Sequence, residues 1–237
     1  LNTSIPTCRN CPNLSCLIQY CDQEAKAFAG ENKINYLIPK DQYVFQEGSL
    51  VLGAYFIFKG KAKVVSNNLQ NRQQTVRLAG DGHILGHMTL DKEFYPIGAV
   101  AMEDTKVCFL ENKLFFQLIS NNPKFAYQVI RFYSKELRKS ELRNRSFSQM
   151  KTFEKIVFAF LYICSSFGYT EKEKILIDFS RAEIAAIAGT NPEQVSRSIS
   201  LLKEKGYLES DGQKIIITDM PKLKELLSPY LSWEILE

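Results

Sequence analysis

Cysteine is the residue type whose spacing speaks first. Four thiols crowd the N-terminus as Cys8-x2-Cys11-x4-Cys16-x4-Cys21, and another stands far away in Val107-Cys108-Phe109-Leu110. Grouped thiolates hold iron–sulfur clusters or zinc, whereas isolated thiols often pack as small hydrophobes. Cys164 lies in an apolar helical stretch and is expected in a core. A second set of residues suits a different chemistry. Glu193, Ser196 and Arg197 fall at i, i+3 and i+4, so a helix presents them on one face. Arg pairs bidentately with guanine, and Glu accepts from cytosine N4, so this trio can read base edges. The same Glu and Arg can instead bridge each other on a solvated helix. The two histidines, His83 and His87, lie in a stretch that reads as turn and strand. Their spacing therefore does not bring two rings to one metal, and a surface or packing role is expected; haem ligation by His87 is a distant option.

These groups need elements to hold them. In residues 33–110, β-branched and aromatic runs alternate with turn signals such as Gly48, Gly53, Gly60, Gly80 and Gly86. The runs Tyr43–Phe45, Ala54–Phe58, Lys61–Val65, Thr75–Leu78 and Lys106–Leu110 have strand length, which predicts an antiparallel sandwich or barrel. Residues 123–148 read as one long helix, with Pro123 in its first turn and no further Gly or Pro until Gly168. Along it Ile130, Tyr133, Leu137, Ser140, Asn144 and Phe147 step by 3 and 4, the period of a coiled-coil seam. The seam predicts dimerisation; the competing reading packs this helix on its own barrel.

Beyond it, Phe153, Ile156, Val157, Phe160 and Leu161 continue the helical period. A strand over Ile175–Phe179 precedes Ser180-x-x-Glu183, a capping box that opens a short helix ended by Gly189. Thr190 or Asn191 caps the next helix and Pro192 suits its first turn. That helix buries Val195, Ile199 and Leu202 and stops at Gly206. A hairpin through Asp211-Gly212 to Lys214–Thr218 follows. Two short helices, a tight turn and a hairpin describe a winged helix–turn–helix, whose second helix enters the major groove.

The chain carries 45% hydrophobic and 24% charged residues in 237, as globular proteins do. Its longest apolar run, Ile156–Cys164, is far short of the about 20 residues that cross a bilayer. The opening residues lack a basic segment followed by an apolar one, so no secretory signal is expected there. A cytoplasmic, reducing setting without structural disulfides follows, with no membrane partner. Net charge is only +4, but residues 124–155 hold nine Lys/Arg against three Asp/Glu. A local basic stretch fits contact with a polyanion on one surface, or a solvated helix face. Paired carboxylates, a nucleophile elbow, a phosphate loop and a His-based triad are missing from the sequence, so an enzyme is not expected.

Over nearly its whole length the chain resembles the Crp–Fnr family of transcription regulators. Asn191-Pro192-Glu193-Gln194-Val195-Ser196-Arg197-Ser198-Ile199 is similar to the family's E-x-x-S-R recognition helix. Ile38-Pro39-Lys40, Phe45-Gln46-Glu47-Gly48 and Tyr55-Phe56-Ile57-Phe58-Lys59-Gly60-Lys61-Ala62-Lys63-Val64 resemble its cyclic-nucleotide-binding β-roll. The resemblance implies an α+β chain: a β-roll sensor domain with the Cys-rich segment and dimerisation helix over 1–149, and a winged helix–turn–helix over 150–237. It implies a homodimer that binds palindromic double-stranded DNA through Thr190, Asn191, Glu193, Gln194, Ser196 and Arg197, with half-sites near TTGA(T/C). Pro192 replaces an Arg of the cyclic-AMP-responsive members. RNA polymerase is an implied partner if the protein activates.

The family's phosphate cassette uses a Glu and an Arg-Ser pair. Here those positions carry His87 and roughly Tyr95-Pro96, and no Arg occurs between Arg77 and Arg131. A phosphate without its Arg loses its bidentate anchor, which argues against cyclic AMP. Oxygen-sensing members use three N-terminal cysteines and one in a V-C-x-I/L strand. By that resemblance Cys8, Cys11, Cys16 and Cys108 would ligate a [4Fe–4S] cluster, with Cys21 spare. Zinc on the N-terminal thiols and metal-free thiols remain open alternatives. The rival function is a cluster-free small-molecule-sensing regulatory protein that does not bind DNA.

Overall fold

The computed structural model describes residues 5–67, 73–86, 93–167, 175–211 and 214–230. Contacts divide the chain into two compact units, Leu1–Ser134 and Lys135–Glu237.

The first unit begins with single 3-10 turns at Cys8–Asn10 and Leu17–Tyr20, followed by α1 (Gln23–Asn32). Asp22 caps α1, its carboxylate accepting from the Ala25 N–H at 2.8 Å. Then come β1 (Ile34–Ile38), β2 (Tyr43–Phe45), β3 (Gly53–Lys59), β4 (Ala62–Asn67), β5 (Gln73–Ala79), β6 (Ile84–Leu85), β7 (Gly98–Ala101) and β8 (Thr105–Glu111). They form two four-stranded antiparallel sheets in the orders β1-β8-β3-β6 and β2-β7-β4-β5. The five strands expected from sequence are β2, β3, β4, β5 and β8. β7 (Gly-Ala-Val-Ala) is buried throughout, so it carries no alternation to be read, and β6 has only two residues.

Side-chain alternation assigns the two faces of the β3–β8 pair to two cores. Ile57 and Val107 point between the sheets, where they join Val44, Phe45, Val64, Leu85 and Tyr95. Ala54, Phe56, Cys108 and Leu110 point to the other face. There they meet α1, α2 (Asn112–Asn121) and the start of α3 (Pro123–Gln149), through Ala29, Phe115, Leu118, Phe125 and Val129. The Phe115 and Phe125 rings meet edge-on at 5.9 Å. The start of α3 thus packs on its own roll through Phe125 and Val129. Ile130 and Leu137, from the seam, stay 65% and 62% exposed, as does Tyr127 at 59%.

In the second unit α4 (Thr152–Phe167) is the hub. Ile156, Val157, Phe158, Phe160 and Leu161 are all buried. The Phe147 and Phe158 rings meet edge-on at 5.0 Å, and the Arg143 guanidinium lies 5.6 Å over the Tyr162 ring. α5 (Arg181–Ala188) and α6 (Pro192–Glu204) pack on α4 and on each other. β9 (Ile175–Ile177), β10 (Leu208–Asp211) and β11 (Lys214–Ile217) form an antiparallel sheet in the order β10-β11-β9, and α7 (Met220–Leu227) closes the unit. The tip of the expected wing turn, Gly212, lies outside the described residues.

Both local punctuation signals are realised. The Ser180 hydroxyl accepts from the Glu183 N–H at 3.2 Å, while the Glu183 carboxylate accepts from the Ser180 N–H at 3.0 Å. Gly189 takes the left-handed conformation (φ 65°), which ends α5 and turns the chain into α6 within three residues. Ser180→Ala removes one half of the box and is expected to cost about 1 kcal/mol of unfolding free energy, read as a lower urea midpoint with unchanged m value.

Candidate nucleic-acid interface and thiol pocket

α6 is held by its back and offers its front. Val195, Ile199 and Leu202 are buried, locking the helix against its neighbours. Asn191 is the N-cap, its side-chain oxygen accepting from the Gln194 N–H at 3.0 Å, and Pro192 occupies the first turn. Of the six residues expected to meet DNA, Asn191, Glu193, Ser196 and Arg197 are exposed, and Thr190 and Gln194 are half-buried. The Ser196 hydroxyl donates to the Pro192 carbonyl at 3.0 Å. Among the described residues, no side-chain hydrogen bond or ion pair engages Glu193 or Arg197. The intrahelical Glu–Arg bridge is therefore not formed, and both heads face solvent with their capacity unused. The helix N-terminus beside them favours an anionic partner.

The thiols form a second constellation. Cys8, Cys11, Cys16 and Cys108 line one pocket on the outer face of the β1-β8-β3-β6 sheet, closed by Ile18, Phe56 and Leu110. Alternation along β8 explains the contribution from afar. Cys108 is the cross-strand partner of Phe56 and shares its face, so its thiol points toward the N-terminal segment rather than between the sheets. The segment is pinned from its own side. The Asn13 amide donates to the Ile57 and Phe58 carbonyls at 3.3 and 3.1 Å, and the Gln19 amide donates to the Cys8 carbonyl at 3.0 Å. Cys21 is buried but does not line this pocket.

Burial pushes the Cys8 thiol up to about 11 and Cys16 to about 12, and it raises Cys108 as well. Lys33 opposes the rise at Cys8 and Cys108; its ammonium donates to the Cys108 sulfur at 3.5 Å. Cys8, Cys16 and Cys108 are thus protonated at neutral pH unless a positively charged group replaces the protons. Among the described residues, no three Cys, His, Asp or Glu side chains form a ready single-ion site. The donor set is four thiols around one apolar-walled pocket, which fits a four-thiolate cluster in its chemistry. Lys33 escaped the sequence reading. It stands alone at the end of α1, and only the fold brings it to Cys108.

The space between the sheets is occupied by protein. Tyr95 stands where the resemblance places the phosphate-binding Arg-Ser pair. It is 2% exposed, stacks on Phe45 at 4.2 Å between ring centroids, and donates to the Gly53 carbonyl at 2.7 Å. Tyr55 also stacks on Phe45, at 5.6 Å between ring centroids. His87 and its neighbours to residue 92 lie outside the described residues. His83 is exposed, and its Nδ1 accepts from the Gly80 N–H at 3.2 Å, closing the turn.

No helix among the described residues is long and apolar enough to cross a membrane. Residues 37–122 match the family model of the cyclic nucleotide-binding domain, and residues 154–226 that of the Crp-like helix-turn-helix domain. The chain is 27% identical over 191 residues to the "Cyclic AMP receptor protein" of Thermus thermophilus, covering 80% of this chain and 86% of that protein. It is 23% identical over 189 residues to the "Transcriptional activator protein anr" of Pseudomonas aeruginosa, covering 78% and 77%. The solved structure of FixK2 from Bradyrhizobium japonicum superposes with a TM-score of 0.72 at 19% identity, covering 82% of this chain and 96% of that one. The likeness extends through both the roll and the winged helix, and the relatives are regulators rather than enzymes. The chain belongs to the Crp–Fnr family of transcription regulators.

Proposed function

We propose that this protein is a homodimeric, sequence-specific regulator whose DNA binding is governed by a [4Fe–4S] cluster in the thiol pocket. One observation carries the reading: the pocket and the root of α3 share a single hydrophobic cluster. Cys8, Ile18 and Cys21 pack in it together with Phe125 and Val129 of α3, and Cys16, Cys108, Phe132 and Tyr133 lie against its edge. Cys8, Cys11 and Cys16 would hold the group from the N-terminal segment and Cys108 from β8. When bound, it supplies an oxygen-labile cross-link between the two. Ile18 and the segment that carries it are then fixed against Phe125 and Val129. Without the cross-link, the segment rests on the apolar packing of Cys8, Ile18 and Cys21 and on hydrogen bonds from Arg9 to Gln23, from Asn13 to Ile57 and Phe58, and from Lys33 to Pro6. A change in that packing alters the foot of the helix that carries Ile130 and Leu137, the exposed apolar residues of the proposed dimer seam.

In functional terms residues 1–149 are the sensor with its dimerisation helix, and 150–237 the DNA-binding domain. Paired subunits would present two α6 helices to half-sites about 34 Å apart. Glu193, Ser196 and Arg197 would read base edges, with Thr190, Asn191 and Gln194 at the helix start alongside them. Cyclic AMP is disfavoured as the effector because Tyr95 replaces the cationic phosphate anchor and fills the space beside Phe45.

The test is anaerobic reconstitution of the full chain with ferrous iron and sulfide. Brown protein with iron and acid-labile sulfide is expected, bleached by air, with a change in affinity for palindromic TTGA-type DNA on bleaching. Cys16→Ala and Cys108→Ala each remove one ligand and are expected to abolish the colour, while Cys21→Ala keeps it. Colourless, iron-free protein that binds the operator equally with and without air would end the cluster reading and leave the DNA-binding regulator.

A further inference from the structure

We propose that Lys33 is the positioning residue of the thiol pocket: one ammonium group ties the N-terminal segment to β8 and compensates the charge of a bound thiolate cluster. The inference rests on the cluster reading for its second half and on geometry alone for its first. Lys33 is the C-cap of α1 and the residue immediately before β1, so its backbone is fixed from both sides. Its N–H donates to the Ala29 carbonyl at 3.0 Å. The half-buried side chain reaches away from both elements. Its Nζ donates to the Pro6 carbonyl at 2.7 Å and to the Cys108 sulfur at 3.5 Å. Pro6 lies two residues before Cys8, and Cys108 lies on β8. A single cation therefore holds both sides of the pocket at once.

Lys33 is also the only charged side chain among the described residues that line the pocket. A cluster held by thiolates carries net negative charge, which a wall of Ile18, Phe56 and Leu110 cannot solvate. A fixed cation bonded to a ligand sulfur offsets that cost. Net charge and hydrogen bonds to the sulfurs are also what set a cluster's reduction potential. Removing the cation makes the site more negative and disfavours the arrival of an electron.

The experiment uses the full chain with Lys33→Met and Lys33→Gln, and Lys33→Arg as the charge-keeping variant. In the metal-free proteins, hydrogen exchange of residues 5–21 is followed by mass spectrometry. In proteins reconstituted with ferrous iron and sulfide, dithionite delivers one electron per cluster in a potentiometric titration. Lys33→Met and Lys33→Gln are expected to exchange about tenfold faster over the segment. Their reduction equilibrium is expected to fall about tenfold, ~59 mV for a one-electron couple, with Lys33→Arg close to wild type in potential. A shift under twofold in both neutral variants, or a shift in Lys33→Arg as large as in Lys33→Met, overturns the proposal. If wild type takes up no iron and sulfide, the cluster reading fails separately. The tie is then judged by exchange alone: faster exchange in the neutral variants and not in Lys33→Arg supports it, and equal exchange in all four proteins ends it.

Discussion

Arg197→Ala is expected to remove about 1–3 kcal/mol of binding free energy per half-site, because a bidentate contact to a guanine is lost. Two half-sites double the effect, so affinity for a palindromic operator falls by roughly 30-fold or more, at about 1.4 kcal/mol per factor of ten. The reason lies in how α6 is mounted. Val195, Ile199 and Leu202 anchor it from behind, so truncating an exposed side chain on the front leaves the fold intact. Arg197 has no partner among the described residues, and no internal bridge needs to be broken before it meets DNA. The check is fluorescence anisotropy on TTGA-type and scrambled duplexes at fixed salt. Random DNA should lose little, since it is held by phosphate contacts elsewhere. An equal loss on both duplexes would place Arg197 on the backbone and take base reading away from it.

The second large effect is expected at the seam. Ile130→Glu combined with Leu137→Glu puts two carboxylates per subunit where the dimer would bury two large apolar side chains. Each buried side chain contributes about 1.5–3 kcal/mol, and both subunits carry the change, so the loss is on the order of 5 kcal/mol or more. Sedimentation equilibrium should find single subunits at concentrations where wild type is paired. The melting temperature of the separated chain should change little, because both positions face solvent in the isolated subunit. Specific operator binding should fall with the dimer, since a lone α6 engages one half-site. A double variant that stays paired and binds as wild type does would move the interface off α3.

The helix–turn–helix is legible in the sequence because it is built from local signals. The Ser180–Glu183 box, the left-handed Gly189, the Asn191 cap and Pro192 are each decided within a few residues, and the structure realises all of them. The strands carrying alternation were equally readable. β7 was not, since it is buried on both faces; nor were α1 and α2, which hold their places through Ala29, Phe115 and Leu118 packed on the sheet. The seam illustrates the middle case. The reading that packs the long helix on its own roll holds at its start, where Phe125 and Val129 are buried, while Ile130 and Leu137 are exposed on another face.

The sequence alone determined the helix–turn–helix, the long helix, five strands of the roll and the trio on α6, because helix period, strand alternation, caps and turn residues act over one or two turns of chain. Tertiary structure alone decided that Cys108 meets thiols nearly a hundred residues away, that Tyr95 plugs the roll, and that Lys33 reaches both Pro6 and Cys108. Those meetings depend on which face of β8 points outward and on how the sheets close. Such long-range pairings are fixed by burial of the whole unit, and no stretch of neighbouring residues encodes them.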